Sequence, residues 1–412
     1  MKPMKRVLRA ALPVLLAAGS PAYAQPVGYE EALRAAVAEQ PQVRARELQL
    51  DARREAADAA DELPDPTLRA GVRNLPVTGP EFLDPTMMTM LEVGVEQNIP
   101  HPAERRARAG IASADIDFAH AQLAHARHMA RLGAGQAWVG LAYAQRALVV
   151  ADEAMAEIAG LVPVARSAVA SGSARPGESL EIRRAVLDVE DAKTAIEAER
   201  EAAQARLARY IGAGDPLATG DIPSADLDPQ QLRATLERNP EIVLAAAQVL
   251  QAQAETELAR SEKRPDFGVS ASYGVRERQF GDVFTVMGSI TLPLFGKHRQ
   301  EPLIAAAEAD VRAARETRED RLRELEAQFE ADLAAWRSAH RQWQRARDEL
   351  LPLARERADL EMASFAAGRA ELLDAIDAIK ALALLEIEIL EREQATVEAA
   401  VKLRLTYTEH FL

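Results

Sequence analysis

The chain has 412 residues, enough for two or three ordinary domains, yet aromatics are only 4%, charged residues 28% and cysteine is absent. That profile belongs to long helices packing through small side chains rather than to compact domains. A net charge of −14 disfavours a nucleic-acid partner, and the lack of cysteine excludes disulfide scaffolds, Cys-ligated zinc, iron–sulfur clusters, thiol catalysis and a lipid-bearing cysteine.

At the start of the chain, Lys2, Lys5, Arg6 and Arg9 precede the apolar stretch 11–18. Ala22-Tyr23-Ala24 then places small residues at the two positions a signal peptidase reads. The pattern predicts a secretory signal peptide over 1–24, cut before Gln25, and therefore an exported chain. No later run of about 18 apolar residues follows, so any membrane crossing must be made by strands.

The remainder reads as two halves with the same order of parts. Residues 33–41 read LRAAVAEQP and residues 232–240 read LRATLERNP. Each opens an Ala-rich helix predicted at about 25–30 residues, ending at Pro64-Asp65 and at Pro265-Asp266. Alternating segments come next. In the first half Leu68, Ala70 and Val72 oppose Arg69 and Arg73, and Leu91, Val93 and Val95 oppose Glu92, Glu96 and Asn98. In the second half Phe267, Val269, Ala271, Tyr273 and Val275 oppose Asp266, Gly268, Ser270 and Ser272. Phe284, Val286 and Ile290 oppose Thr285, Ser289 and Thr291. Period two over roughly 8–11 residues is strand geometry with one apolar and one polar face. Each half therefore supplies a hairpin, near 67–99 and near 266–294, turned by 74–85 and by Gln279-Phe280-Gly281-Asp282.

Beyond the Pro-marked junctions Ile99-Pro100-His101-Pro102 and Leu292-Pro293-Leu294-Phe295-Gly296, helices run over about 103–170 and 302–367. At 1.5 Å per residue, some 68 residues reach about 100 Å, far longer than a compact domain needs. Gly172 and Gly368 then break the rods, and partner helices return over about 178–211 and 371–407. Leu322, Leu325, Phe329, Leu333 and Trp336 recur at the three- and four-residue steps of a packed face. The expected fold is mainly α with a small β part: two coiled-coil hairpins beside two β-hairpins, in repeats over 25–228 and 229–412.

On strand evidence alone, two homes stand open for the hairpins: a small sheet packed on helices, or a share of a membrane barrel. Four strands cannot close a barrel, and an open edge in lipid leaves backbone groups unpaired at several kcal/mol each. In a membrane the chain would have to share its barrel with copies of itself.

With its residues in place, the layout resembles the TolC-like outer membrane factor family. The segment 91–100, LEVGVEQNIP, followed by Glu104-Arg105-Arg106-Ala107-Arg108, is similar to the strand-to-helix stretch of the family's heavy-metal cation efflux branch, as are Pro64-Asp65-Pro66 and Asn74-Leu75-Pro76. Residues 367–373, AGRAELL, resemble the family's periplasmic tip turn. The resemblance implies a homotrimer with a twelve-stranded barrel in outer membrane lipid and a long periplasmic α-barrel. It further implies a passive duct without cofactor or resident metal, working with a periplasmic adaptor (membrane fusion) protein and an inner-membrane RND transporter. Heavy-metal cations are the expected cargo; a duct for drugs or type I protein secretion is the alternative, and a periplasmic adaptor or scaffold is a more distant one.

Site residues follow from this layout. Gly172, Leu180, Gly368, Leu372 and Leu373 are the expected adaptor-docking tips, because a reversed helical turn offers an edge to a partner hairpin. Asp374 and Asp377, repeated threefold, would ring the periplasmic aperture with negative charge. Arg69, Arg73, Glu92 and Glu96 share the polar strand face and would line the barrel lumen, or else simply neutralise one another. Met87, Met88 and Met90 are soft ligands in type but read as loop filler or lipid-facing residues at a strand start. His125 and His128, with His120 nearby, lack the carboxylate or cysteine support of a metal site. Phe267, Tyr273, Phe280 and Phe284 suggest an aromatic belt, while Trp138, Trp336 and Trp343 read as packing anchors. Enzyme signatures (H-E-x-x-H, G-x-S-x-G, G-x-G-x-x-G after a strand, G-x-x-x-x-G-K) are missing, so no catalysis is expected.

Overall fold

The structure, a computed structural model, describes residues 25–80, 83, 88–172, 175, 177–212 and 214–407. The expected signal peptide over 1–24, and Met87, lie outside them. Strand β1 (Gln25–Val27) leads into helices α1 (Tyr29–Glu39) and α2 (Pro41–Asp58). Strands β2 (Thr67–Arg73) and β3 (Met90–Ile99) precede α3 (Pro102–Ser171) and α4 (Glu178–Ile211). Strand β4 (Pro216–Ala218) pairs in parallel with β1. Helix α5 (Pro229–Arg233), a 3-10 turn (Leu236–Arg238) and α6 (Pro240–Ser261) introduce strands β5 (Asp266–Val275) and β6 (Val283–Thr291). Helix α7 (Gln300–Arg345) passes through a π turn (Ala346–Leu350) into α8 (Leu351–Ala366), and α9 (Leu372–Tyr407) returns.

Proline placement explains where helices begin. Pro41, Pro102, Pro229 and Pro240 each occupy a first-turn position, where the missing N–H is not needed. Side chains cap three of these starts: His101 Nδ1 accepts from the Ala103 N–H (3.0 Å), Asp228 Oδ1 from Gln230 (3.0 Å) and Asn239 Oδ1 from Glu241 (2.9 Å). The same chemistry corrects the two predicted Ala-rich helices. Each is broken, at Gln40-Pro41 and at Asn239-Pro240, because the residue before proline is held extended, with ψ near 124° and 134°. They also stop at Asp58 and Ser261, short of the Pro-Asp pairs. The second rod is interrupted too. Pro352 lacks an N–H and crowds the carbonyl four residues earlier, and the helix widens by one residue just before it.

Small side chains let the rods approach closely. The buried face of α3 is rich in alanine, from Ala107 through Ala168, and packs on α2, α4, α6 and α9. Near mid-height Trp138 is fully buried, edge-on to Tyr29 at 5.5 Å, and burial pushes the Tyr29 hydroxyl up to about 12. Trp138 Nε1 donates to the Val27 carbonyl (2.8 Å) and Trp336 Nε1 to the Ala225 carbonyl (3.0 Å), each reaching back 111 residues.

The four longer strands form one antiparallel sheet in the order β2-β3-β5-β6. Register places Val93 between Ala70 and Tyr273, and Tyr273 beside Phe284, so one face is apolar across all four strands. That face is bare: Leu68, Val72, Leu91, Val93, Val95, Val269, Phe284 and Ile290 are all exposed. The ribbons are thus not folded down onto the chain's own helices. Both outer strands, β2 and β6, leave an edge unpaired among the described residues. Among the described residues, no helix is long and apolar enough to cross a membrane.

Candidate channel face and helical tips

The polar face of the sheet is concave, and glycine makes it so. A Cβ on Gly94 would lie 2.8 Å from the Ser272 Cβ, and one on Gly268 2.5 Å from the Ser289 Oγ. Directly paired Cβ atoms normally stand about 4.5–5.5 Å apart, against 2.8 Å at Gly94–Ser272 and 3.9 Å at Gly268–Ser289. Both glycines alternate with the polar residues, so the sheet curls toward its polar side. The resulting hollow is about 300 Å³ and is lined by Arg69, Arg73, Glu92, Glu96, Ser272 and Met287.

All four residues expected in the lumen therefore meet on one face. Arg69 pairs with Glu96, and Arg73 Nε lies 2.5 Å from Glu92 Oε2. Each pair is diagonal, since Arg69 sits opposite Gly94 and Arg73 opposite Met90. The charges neutralise one another and still line the hollow. Phe267 stands at the helix-side end of the sheet and Tyr273 with Phe284 near the far end, while Phe280 lies in the turn.

At the opposite end of the rods, Gly172 (φ 77°) and Gly368 (φ 68°) close their helices in the left-handed conformation. The two turns sit together: Arg175 Nη2 reaches Glu371 Oε1 at 2.7 Å. Beneath them Ile158, Leu161, Ile182, Val189, Leu372 and Ile376 form one core. Leu372, expected at the docking edge, belongs to this core. It is 1% exposed and supports the tip from within, because its helical face (Leu372, Ala375, Ile376, Ile379) packs inward. Leu180 is 65% exposed and Leu373 half-buried. Asp374 and Asp377 project from the outer face of the same helix, and neither has an ion-pair partner among the described residues.

The remaining candidates are scattered. His125 and His128 stack at 6.5 Å, and burial holds the His125 imidazole below its usual range. His120 instead meets Arg54 (3.2 Å). Among the described residues, no group of three metal-ligating side chains comes together. Met90 packs its sulfur toward Gly274, and Met88 is exposed. Trp343 carries the Arg347 guanidinium over its ring at 4.7 Å.

Several groups had no signal in the sequence. Asp332 gathers Lys402 Nζ (2.7 Å), Gln328 Nε2 (2.8 Å) and the Tyr407 hydroxyl (3.1 Å) where α7 meets α9. Asp266 Oδ1 accepts the His101 N–H (2.9 Å), tying the second hairpin to the first junction. Lys402, Tyr407 and His101 lie 70 or more residues from the carboxylates they meet, beyond any local pattern.

Known proteins point the same way. Residues 232–407 match the family model described as Outer membrane efflux protein. No curated protein matches the chain in sequence. Among solved structures, a membrane protein from Pseudomonas aeruginosa aligns with a TM-score of 0.77 at 18% identity, covering 92% of this chain and 90% of the other. A structure of CusC, from work on folding and transmembrane channel formation, aligns at 0.74 and 14% identity, covering 92% and 91%. The open state of the Neisseria gonorrhoeae MtrE outer membrane channel aligns at 0.73 and 17%, covering 92% and 88%.

A bare, curled four-stranded sheet on long paired helices is the fold that this chain shares with those solved structures, two of which are described as channels. Residues 232–407 carry the outer membrane efflux protein domain, and the fold shared with these solved structures takes in 92% of the chain.

Proposed function

We propose that the chain is one third of a homotrimeric exit duct that passes heavy-metal cations outward, fed by a periplasmic adaptor and an inner-membrane RND transporter. The observation that carries this reading is the sheet, with an apolar face bare of protein and two unpaired edges. In lipid, edge groups without partners cost several kcal/mol each, and only closure removes that cost. Three copies supply twelve strands, joined β6 to β2, with the concave face and its Arg69–Glu96 and Arg73–Glu92 pairs toward the lumen.

Adaptor hairpins dock at the tips, where Gly172 and Gly368 reverse the chain and Leu180 and Leu373 remain accessible, with Leu372 fixing their shape from below. The cation reading rests on the unpaired Asp374 and Asp377 at the mouth, which draw cations when repeated by threefold symmetry, and on the likeness of 91–108 to the cation branch. The two-repeat organisation is supported by the matched indole bonds of Trp138 and Trp336. Their equivalence of Val27 with Ala225 starts the second repeat a few residues before Pro229.

Deleting the gene should raise sensitivity to copper, silver, cobalt, zinc or cadmium, and the double variant Asp374→Asn with Asp377→Asn should restore tolerance only in part. Lost resistance to drugs or lost protein secretion, with metal tolerance intact, would move the cargo to the alternative. Detergent-extracted protein should have the mass of a trimer; a stable monomer would overturn the duct itself.

A further inference from the structure

The two places where the sheet hands over to the rods are built differently. At the first, Pro100 is buried, the His101 N–H is held by Asp266 and the His101 ring caps α3. At the second, residues 292–299, Leu292, Leu294 and Phe295 are exposed, the last two at 77% and 72%. This loop is nonetheless ordered. The Leu294 N–H donates to the Leu292 carbonyl (2.9 Å), and the His298 and Arg299 N–H groups both donate to the Phe295 carbonyl (2.9 and 3.0 Å). Such turns fix where the side chains stand.

Two further observations say what covers them. The first is continuity: Leu292 extends the alternation of Phe284, Val286 and Ile290, so the apolar loop prolongs the lipid-facing side of the sheet. The second is charge. Lys297 and Arg299 follow at once, both exposed, and neither has an ion-pair partner among the described residues. Two exposed cations without an ion-pair partner among the described residues, in a chain of net charge −14, mark a local partner of negative charge.

The ends of β2, β3, β5 and β6 at Thr67, Ile99, Asp266 and Thr291 all adjoin helices, so the loop lies at the helix-side boundary of the membrane band. We propose that residues 292–299 are a membrane-interface anchor: Leu294 and Phe295 enter the acyl chains, and Lys297 and Arg299 bind the phosphate of an anionic phospholipid in the helix-side leaflet. The spacing suits this. One tight turn, closed on the Phe295 carbonyl, joins the two apolar side chains to the two basic ones. Long basic side chains reach headgroups while their stems stay apolar, and an anionic leaflet strengthens the contact.

The inference rests on the sheet being lipid-facing, and the test separates the two. The full chain carrying Phe295→Trp would be placed in nanodiscs of brominated phosphatidylglycerol or brominated phosphatidylcholine, with wild type supplying the background of the three native tryptophans. The added indole should be quenched by both lipids and about twofold more strongly by phosphatidylglycerol. Adding Lys297→Ser and Arg299→Ser should bring that ratio to one. Leu294→Trp serves as a second reporter if the first variant folds poorly, and Val93→Trp reports on the middle of the sheet. Quenching of the Val93→Trp indole without quenching at 294 or 295 would overturn the anchor alone. Equal quenching by the two lipids, unchanged in the serine variants, would overturn the phosphate contact. Loss of quenching at all three positions would overturn the lipid-facing reading with it.

Discussion

Single atoms decide how far the sheet can bend. At Gly94 a methyl group would meet the Ser272 Cβ at 2.8 Å and the Ala271 carbonyl at 3.1 Å, and backbone cannot step aside as a flexible side chain can. Gly94→Val should therefore destabilise the folded protein by about 1–3 kcal/mol, the usual cost of overpacking, read as a lower melting temperature in detergent. Gly71 on the same face has open space around it, so Gly71→Ala should leave that temperature nearly unchanged. A second residue-scale effect depends on pH. Burial raises the Glu398 carboxyl above its ordinary 4.5, although Gln394 Nε2 (2.7 Å) and Arg206 pull the other way. The folded protein then holds this proton more tightly than the unfolded chain. Its contribution to stability is full below about pH 4.5 and is lost as pH rises through the raised value. Glu398→Gln keeps the acceptor for Gln394 and removes the charge, so it should raise the melting temperature at pH 8 and converge with wild type near pH 4.

Elements fail or hold according to what lies beneath them. The tip is held by a core in which Leu372 is buried and by ion pairs of the exposed Arg175 with Glu178 and Glu371. Exposed pairs contribute little, so the apolar core dominates. Leu372→Ala should cost about 2–5 kcal/mol locally, seen as faster amide exchange in residues 366–380 with the mid-height core unaffected. Leu180→Asp, at an exposed position, should leave exchange unchanged and weaken adaptor capture instead. The helical periodicity of the rods was legible because it repeats locally; the π turn before Pro352 and the breaks at Pro41 and Pro240 were not, because proline is compatible with either a helix start or a kink.

For the whole molecule, β2 and β6 each keep an edge unpaired among the described residues, and the proposed trimer would close them. Because the chain has no cysteine, pairs introduced along β2 (Leu68, Ala70, Val72) and β6 (Val286, Gly288, Ile290) report directly on that closure. At least one β2–β6 pair should oxidise to covalent dimers and trimers in membranes. Exclusively monomeric chains across the whole set would contradict a barrel closed between subunits.

Much of the site was readable from residue order alone. Strand alternation placed Arg69, Arg73, Glu92 and Glu96 on one face, and glycines marked both tips, because periods of two and of about 3.6 are properties of the local backbone. Local pattern could not say which leucine of Leu372-Leu373 turns inward, that Arg175 would meet Glu371, or that Asp332 would gather Lys402 and Tyr407. Those outcomes depend on how helices far apart in sequence are packed. Chain order set the periodicity, the apolar face and the breaks; only tertiary structure decided the curl of the sheet and the pairing of its charges, since both arise where separate segments compete for the same space.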